Sequence, residues 1–151
     1  MRLAGPFRRV LVGFDGSPDA ADAVRAATAI AARDGGHVVA LSVIARPALH
    51  SDGNEDDGRH ARNISEQAEA LFTDVRRELP PGCAVRMTAH VEYADGRNAG
   101  QVVTDYAAAH GFDVLVLGRH GDGRRRKSRL GQVAECAVAA CPVPVLLMSA
   151  R

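Results

Sequence analysis

Residues 114–148 read VLVLGRHGDGRRRKSRLGQVAECAVAACPVPVLLM. This segment contains two short apolar runs, at 114–117 and 143–148, which are typical of strands buried on both faces of a sheet. Between them lie a loop rich in glycine and arginine and a helical pattern over 131–140, which stops at Pro142. Strand, loop, helix and strand in this order predict a right-handed crossover between two parallel strands.

The rest of the chain repeats this alternation of strands and helices. The further predicted strands are 10–14, 38–44 and a weaker run at 84–91, and the further predicted helices are 17–33, 59–78 and 98–109. Ser17 is suited to cap the first helix, with Pro18 at its first position, and polar residues 50–58 predict a surface loop. The order βαβαβαβαβ predicts an α/β fold with an open five-stranded parallel sheet and helices on both faces. We expect a single domain over residues 1–151.

Composition indicates a soluble globular protein without a polyanionic partner. Of the 151 residues, 46% are hydrophobic, and the formal net charge is +1. A charge this small does not draw the chain to nucleic acid or to a membrane surface. No segment has the apolar length of a membrane span, and the first residues lack the apolar stretch of a signal peptide. We therefore expect a cytoplasmic protein with neither a membrane nor a nucleic-acid partner.

The sequence predicts no metal site. Cys83, Cys136 and Cys141 lack the spacing of metal ligands, and an odd number of cysteines cannot all pair within one chain. We expect reduced and mostly buried thiols. The acidic residues within 50–58 lack the ordered ligand spacing of a calcium loop.

Two strand ends carry the residues that are suited to ligand chemistry. The first strand ends at Asp15, and the fourth is followed by Gly118, Gly121, the basic run 124–129 and Gly131 at a helix start. Open parallel sheets bind ligands at the carboxyl ends of strands, where the strand order reverses. Glycine lets the backbone approach a ligand, and a helix N-terminus attracts an anion through its free amides and its dipole. The loop therefore has the composition of a phosphate site, although it is neither a Walker loop nor a dinucleotide fingerprint.

This loop resembles the signature of the universal stress protein family, which is Gly-x-x-Gly, nine residues, Gly-Ser/Thr. The matching glycines are Gly118, Gly121 and Gly131, and Gln132 stands in place of the Ser or Thr. The opening RRVLVGFDGSPDAADAV and the ending AECAVAACPVPVLLM are also similar to those of the family. The resemblance implies a Rossmann-like sheet with strand order 3-2-1-4-5 and a site for ATP or AMP, with or without Mg²⁺.

The resemblance also implies roles for individual residues. Asp15 and Val43 would lie around the adenine, and Leu117 and Gly118 would lie beside the ribose and the first phosphate. The phosphates would be held by the remaining matches, which are Gly121, Gly131, Gln132 and Val133. Gln132 is bulkier than Ser or Thr and lacks their hydroxyl, so it weakens the expectation of a triphosphate more than that of an adenine nucleotide.

Other interpretations of these residues remain open. Asp15 is also placed to cap the helix that follows it. Arg124 and Arg126 are candidate phosphate contacts, but the run 124–129 is equally typical of a solvated loop, and no interleaved aromatic residues favour nucleic acid. His120 has no nucleophile or second base within reach by sequence, so we predict no catalytic residue.

The favoured function is an adenine-nucleotide-binding protein of stress response or signalling, non-enzymatic or at most weakly hydrolytic. Two alternatives remain: a dimeric interaction module of the same fold that binds no nucleotide, which Gln132 favours, and an ATP-hydrolysing enzyme. The last strand predicts a homodimer, because residues 142–148 are apolar throughout and Pro142 and Pro144 suit an edge strand. In the resembled family such strands pair antiparallel around a two-fold axis.

Overall fold

The structure is a computed structural model that describes residues 7–45, 55–120 and 130–149. Within these ranges the elements are β1 (Arg9–Gly13), α1 (Pro18–Ala32), β2 (His37–Ile44), α2 (Glu55–Glu78), β3 (Arg86–Tyr93), α3 (Ala99–Ala109), β4 (Val114–Gly118), α4 (Gln132–Ala140) and β5 (Val145–Met148). This order confirms the predicted alternation of strands and helices. No helix in the described ranges has the length and apolarity needed to cross a membrane.

The five strands form one parallel sheet in the order β3-β2-β1-β4-β5. β1 lies at the centre, where Val10 pairs with Val38 of β2 on one side and with Val114 of β4 on the other. The predicted open sheet with strand order 3-2-1-4-5 is therefore confirmed. Because the strand order reverses between β1 and β4, the carboxyl ends of these two strands border a crevice.

Helices cover both faces of the sheet, as predicted. α1 and α2 pack on one face, and α3 and α4 pack on the other. Successive residues of a strand point to opposite faces. In β1, Val10 and Val12 therefore contact the α1–α2 layer, whereas Leu11 contacts the α3–α4 layer, and all three are fully buried. Burial on both faces explains why this strand is apolar without alternation.

The start of α1 follows the predicted capping pattern, and its end is closed by a backbone hydrogen bond. Ser17 is the N-cap, and its hydroxyl oxygen accepts a hydrogen bond of 3.2 Å from the backbone N–H of Ala20. After the helix, Gly36 donates its N–H to the carbonyl oxygen of Ala31 at 2.8 Å. A Cβ on Gly36 would collide with the carbonyl oxygen of Arg8, so only glycine lets the chain turn back so closely into β2.

Three predicted element starts differ from the structure by two residues or more. α2 begins at Glu55, so residues 55–58 are helical and not part of a loop; Asp57 in the first turn suits the positive end of the helix dipole. β3 begins two residues later than predicted, because Cys83 still closes a turn by donating its N–H to the carbonyl oxygen of Pro80 at 3.3 Å. β5 also begins two residues later, since Pro144 has no N–H for the ladder and contributes only its carbonyl oxygen, which accepts from Leu115 N at 2.9 Å.

The thiols are less buried than expected. Cys83 is exposed and Cys136 and Cys141 are partly exposed, and all three are free. The expectation of mostly buried thiols was wrong, because Cys83 lies in the turn before β3 and Cys136 and Cys141 lie in and at the end of the half-exposed α4.

The strand β5 lies at one edge of the sheet. Val145 and Leu147 pack against the α3–α4 layer. Leu146 points to the other face and is 37% exposed, which makes it one of two exposed large hydrophobic residues in the described ranges. The edge therefore presents backbone hydrogen-bonding groups next to an exposed leucine.

The helices α3 and α4 approach each other closely at Gly100. A Cβ built on this buried glycine would lie 2.5 Å from the Cβ of Cys136 and 3.3 Å from the Cα of Val133. Atoms this close must shift, and neither the Cβ nor the Cα can move by a side-chain rotation. Gly100 therefore sets the distance between the two helices.

This contact predicts whether a glycine-to-alanine substitution raises or lowers the free energy of unfolding. We expect Gly100→Ala to lower the free energy of unfolding by about 1–3 kcal/mol, because the added methyl group overpacks the interface. Gly58→Ala in α2 is the matched control: its Cβ would meet only the Arg62 side chain at 3.8 Å, so higher helix propensity should raise stability by up to about 1 kcal/mol. Urea unfolding of both variants measures this difference. A stabilising Gly100→Ala would contradict the close helix contact.

Candidate functional site

A cavity of about 750 Å³ opens at the carboxyl ends of β1 and β4. Its walls come from the ends of β1, β2 and β4, from the starts of α1, α3 and α4, and from α2. Seven of the residues that the sequence predicted for a nucleotide site line it, namely Asp15, Val43, Leu117, Gly118, Gly131, Gln132 and Val133. The other three predicted residues, Gly121, Arg124 and Arg126, lie outside the described residues.

Asp15 stands at the mouth of the cavity, directly after β1. Its side chain is exposed, and one carboxylate oxygen accepts a hydrogen bond of 2.9 Å from the backbone N–H of Ser17. Asp15 thus supports the turn before α1 and also borders the cavity. The alternative prediction that Asp15 caps the helix was wrong, because the N-cap is Ser17. A contact with adenine stays a prediction.

The wall beside Asp15 is mostly apolar. It contains the half-buried Val43 and the buried Ile44 at the end of β2, together with Ile64 on α2. The hydroxyl of Ser42 donates to the carbonyl oxygen of Phe14 at 2.7 Å, so it joins the ends of β1 and β2. A flat apolar ring such as a purine suits a wall of this kind.

Gly118 at the end of β4 has a packing role that the sequence did not suggest, while its predicted place beside a ligand stays a prediction. We expected its missing side chain to let the backbone approach a ligand. In the structure a Cβ at this position would lie 2.7 Å from the Cβ of Asp19, 2.9 Å from the carbonyl carbon of Asp19 and 3.0 Å from the nitrogen of Ala20. Glycine is therefore required here by the packing of α1 against β4.

The start of α4 forms the opposite end of the cavity. Gly131 is its N-cap and makes no side-chain capping bond, so the first-turn amides lack a capping side chain. The N–H of Gly131 donates to the carbonyl oxygen of Arg119 at 2.6 Å, which ties the helix start to the segment after β4. Gln132 and Glu135 of the first turn also line the cavity. The amides and helix dipole attract an anion here, whereas the Glu135 carboxylate opposes one.

The structure reveals a pair of side chains that sequence reasoning missed. One carboxylate oxygen of Asp19 lies 3.2 Å from the backbone nitrogen and 3.3 Å from Nδ1 of His120. The other ring nitrogen, Nε2, is buried and has no hydrogen-bond partner among the described residues, and His120 lines the cavity. The available signal was topological: because β1 and β4 are neighbours, the first turn of α1 must lie near the end of β4.

The described residues contain no group of three or more His, Cys, Asp or Glu side chains arranged to hold a metal ion. The cavity lining in these ranges also contains neither lysine nor arginine. The site is therefore built from backbone amides, apolar walls and a few polar side chains.

Comparison with protein families accounts for this architecture. The family model described as universal stress protein family matches residues 6–149. The chain belongs to the universal stress protein family. Within the signature of that family, His120 occupies one of the two unspecified positions between Gly118 and Gly121, and Gln132 departs from the specified Ser or Thr.

Solved universal stress protein structures share the fold. UspA from Lactobacillus plantarum is 20% identical, with 96% of this chain and 99% of that chain covered and a TM-score of 0.65. A universal stress protein in complex with cAMP is 18% identical, with 97% and 100% covered and a TM-score of 0.67. The protein from Archaeoglobus fulgidus in complex with dAMP is 20% identical, with 95% and 99% covered and a TM-score of 0.63. A comparison with curated proteins finds no significant match.

Proposed function

We propose that this universal stress protein binds an adenine nucleotide, ATP or AMP, in the cavity between β1 and β4 and acts in a cytoplasmic stress response or in signalling. The observation that carries this proposal is convergence: seven residues from separate parts of the chain border one cavity whose volume of about 750 Å³ suits a small ligand. Two relatives of the same fold are described in complex with cAMP and dAMP, which supports an adenine nucleotide as the ligand class.

The proposed binding mode follows the chemistry of the walls. Adenine would lie between Asp15 and Val43, where the lining is mostly apolar. The ribose and first phosphate would lie beside Leu117 and Gly118, and further phosphates would approach Gly121, Gly131, Gln132 and Val133 at the start of α4. Free amides and the positive end of the helix dipole stabilise an anion at this end of the cavity. Mg²⁺ would accompany ATP through its phosphate oxygens.

Direct binding measurements test the proposal. We expect AMP and ATP to bind in isothermal titration calorimetry, and mass spectrometry of the denatured purified protein to detect any nucleotide that co-purifies. Asp15→Ala should weaken binding several-fold because it removes polar contacts at the adenine end. Asp22→Ala is the matched control. It also removes one carboxylate, but from a position on α1 that does not line this cavity.

Absence of adenine-nucleotide binding at millimolar ligand would reject the proposed function. Equal effects of Asp15→Ala and Asp22→Ala would show that the ligand lies elsewhere.

Gln132 provides a test of the number of phosphates. We expect Gln132→Ser to raise the affinity for ATP more than that for AMP, because serine is smaller and supplies a hydroxyl at the distal end of the cavity. Titrating ATP and AMP into the unmodified protein and into the Gln132→Ser variant gives the change in affinity for each ligand. Equal changes for ATP and AMP would mean that Gln132 does not lie near the terminal phosphate.

A second candidate function is a dimeric interaction module that binds no nucleotide. Two observations favour it: Gln132 and Glu135 stand in the first turn of α4, and the edge strand β5 carries the exposed Leu146. Dimerisation is compatible with both functions, and we propose a homodimer in which two β5 strands pair antiparallel. No observation on the described residues favours ATP hydrolysis, and we do not propose it.

Leu146 gives the cleanest test of this dimer. We expect the protein to be dimeric in light scattering at micromolar concentration, and Leu146→Asp to split the dimer by placing a charge in the interface. Val145 and Leu147 are less suitable because they also pack against the α3–α4 layer of their own chain. Ala70→Asp, an exposed position on α2, is the control that should stay dimeric. A monomeric unmodified protein would reject the dimer.

A further inference from the structure

The imidazole of His120 is held in one orientation by Asp19. A single carboxylate oxygen of Asp19 is within 3.2 Å of the backbone nitrogen and within 3.3 Å of Nδ1 of His120. Both side chains are largely buried, with 22% of the His120 side chain and 13% of the Asp19 side chain exposed. The two contacts restrain the main chain and the ring of His120 together.

The carboxylate also determines which ring nitrogen carries a proton. A carboxylate can only accept a hydrogen bond, so Nδ1 of His120 must be the nitrogen that donates to Asp19. In the neutral ring, Nε2 is then an acceptor, and it becomes a donor only when the ring is protonated. Nε2 is buried and has no partner among the described residues, so its hydrogen-bonding capacity is unused in this part of the chain.

His120 lies at the end of the cavity where the proposal places phosphate. The hydrogen bond of 2.6 Å from Gly131 N to Arg119 O brings the start of α4 beside this residue. Among the described residues, the charged or titratable side chains that line the cavity or contact His120 are Asp15 after β1, Asp19 on α1, His60 on α2 and Glu135 on α4. Since the described lining has no lysine or arginine, a protonated histidine is the side-chain cation that it can offer.

We propose that His120 takes up a proton when the phosphate of a nucleotide binds, that binding uncovers its buried Nε2, and that the protonated ring then bridges Asp19 through Nδ1 and the phosphate through Nε2. The inference rests on the proposed function and adds to it a regulation by pH. With a carboxylate on one side and a phosphate on the other, the imidazolium is stabilised by two negative charges, so binding and protonation favour each other. Affinity for a nucleotide then falls as pH rises, whereas affinity for the nucleoside does not.

Calorimetry in two buffers of different ionisation enthalpy tests this coupling. At about pH 7.5 a phosphate monoester is largely deprotonated, so uptake of a proton by the complex is readily detected. We expect AMP to bind with uptake of up to about one proton and adenosine to bind with none. His120→Asn keeps an amide nitrogen near the position of Nδ1 and has no atom at Nε2. This substitution should abolish the uptake of a proton and lower the affinity for AMP about tenfold. The affinity for adenosine should stay unchanged.

The controls separate this inference from the proposed function. His60→Asn replaces the other histidine of the cavity lining and should leave proton uptake unchanged; loss of uptake in that variant would assign the proton to His60 and overturn the inference. AMP binding without uptake, or uptake that persists in His120→Asn, would overturn the inference and leave the proposed function standing. No AMP binding at all would overturn both.

A measurement on the unmodified protein covers the case in which His120→Asn does not fold. Above about pH 7, where a phosphate monoester is largely doubly ionised, the ratio of AMP affinity to adenosine affinity should fall as pH rises, by at most about tenfold per pH unit for one coupled proton. A ratio that stays constant over this range would overturn the inference.

Discussion

The close approach of α1 to the end of β4 is the constraint on which the rest of the site depends. At Gly118 a Cβ would lie 2.7 Å from the Cβ and 2.9 Å from the carbonyl carbon of Asp19. No rotation of a side chain can relieve a contact with the main chain, so this position requires glycine. The sheet order is the cause, because β1 and β4 are neighbours and α1 starts at the end of β1. The same approach brings the Asp19 carboxylate against His120.

A second glycine fixes the other side of the cavity. Gly100 allows α3 and α4 to touch, and the neighbouring Val103 and Val133 line the cavity from these two helices. The distance between the cavity walls is therefore set by two helix contacts in which a methyl group has no room. Close packing and the hydrogen bonds at the strand ends together hold the walls of the cavity, and the first turn of α4 is positioned by its neighbours within the fold.

Periodicity predicted most of the fold because the central strands are buried on both faces and read as continuous apolar runs. It was less accurate at the starts of elements: the start of α2 was misplaced by four residues, and the starts of the edge strands β3 and β5 by two residues each. The site was predictable only through the family signature, which pointed to seven of the residues that line the cavity. The pairing of Asp19 with His120 was missed, because a local pattern carries no information about residues 101 positions apart and only the strand order places the first turn of α1 near the end of β4.

The charge of the cavity, more than its volume, limits which nucleotide the proposed site can hold. Its described lining offers the carboxylates of Asp15 and Glu135, the amides at the start of α4 and two histidines. Each added phosphate brings more negative charge toward Glu135, so a triphosphate needs a further cation, from Mg²⁺ or from the arginine-rich residues 124–129 that lie outside the described ranges. A monophosphate needs less compensation, and the proposed protonation of His120 beside the helix amides would supply it. Under that proposal, binding of AMP in particular depends on the protonation of His120.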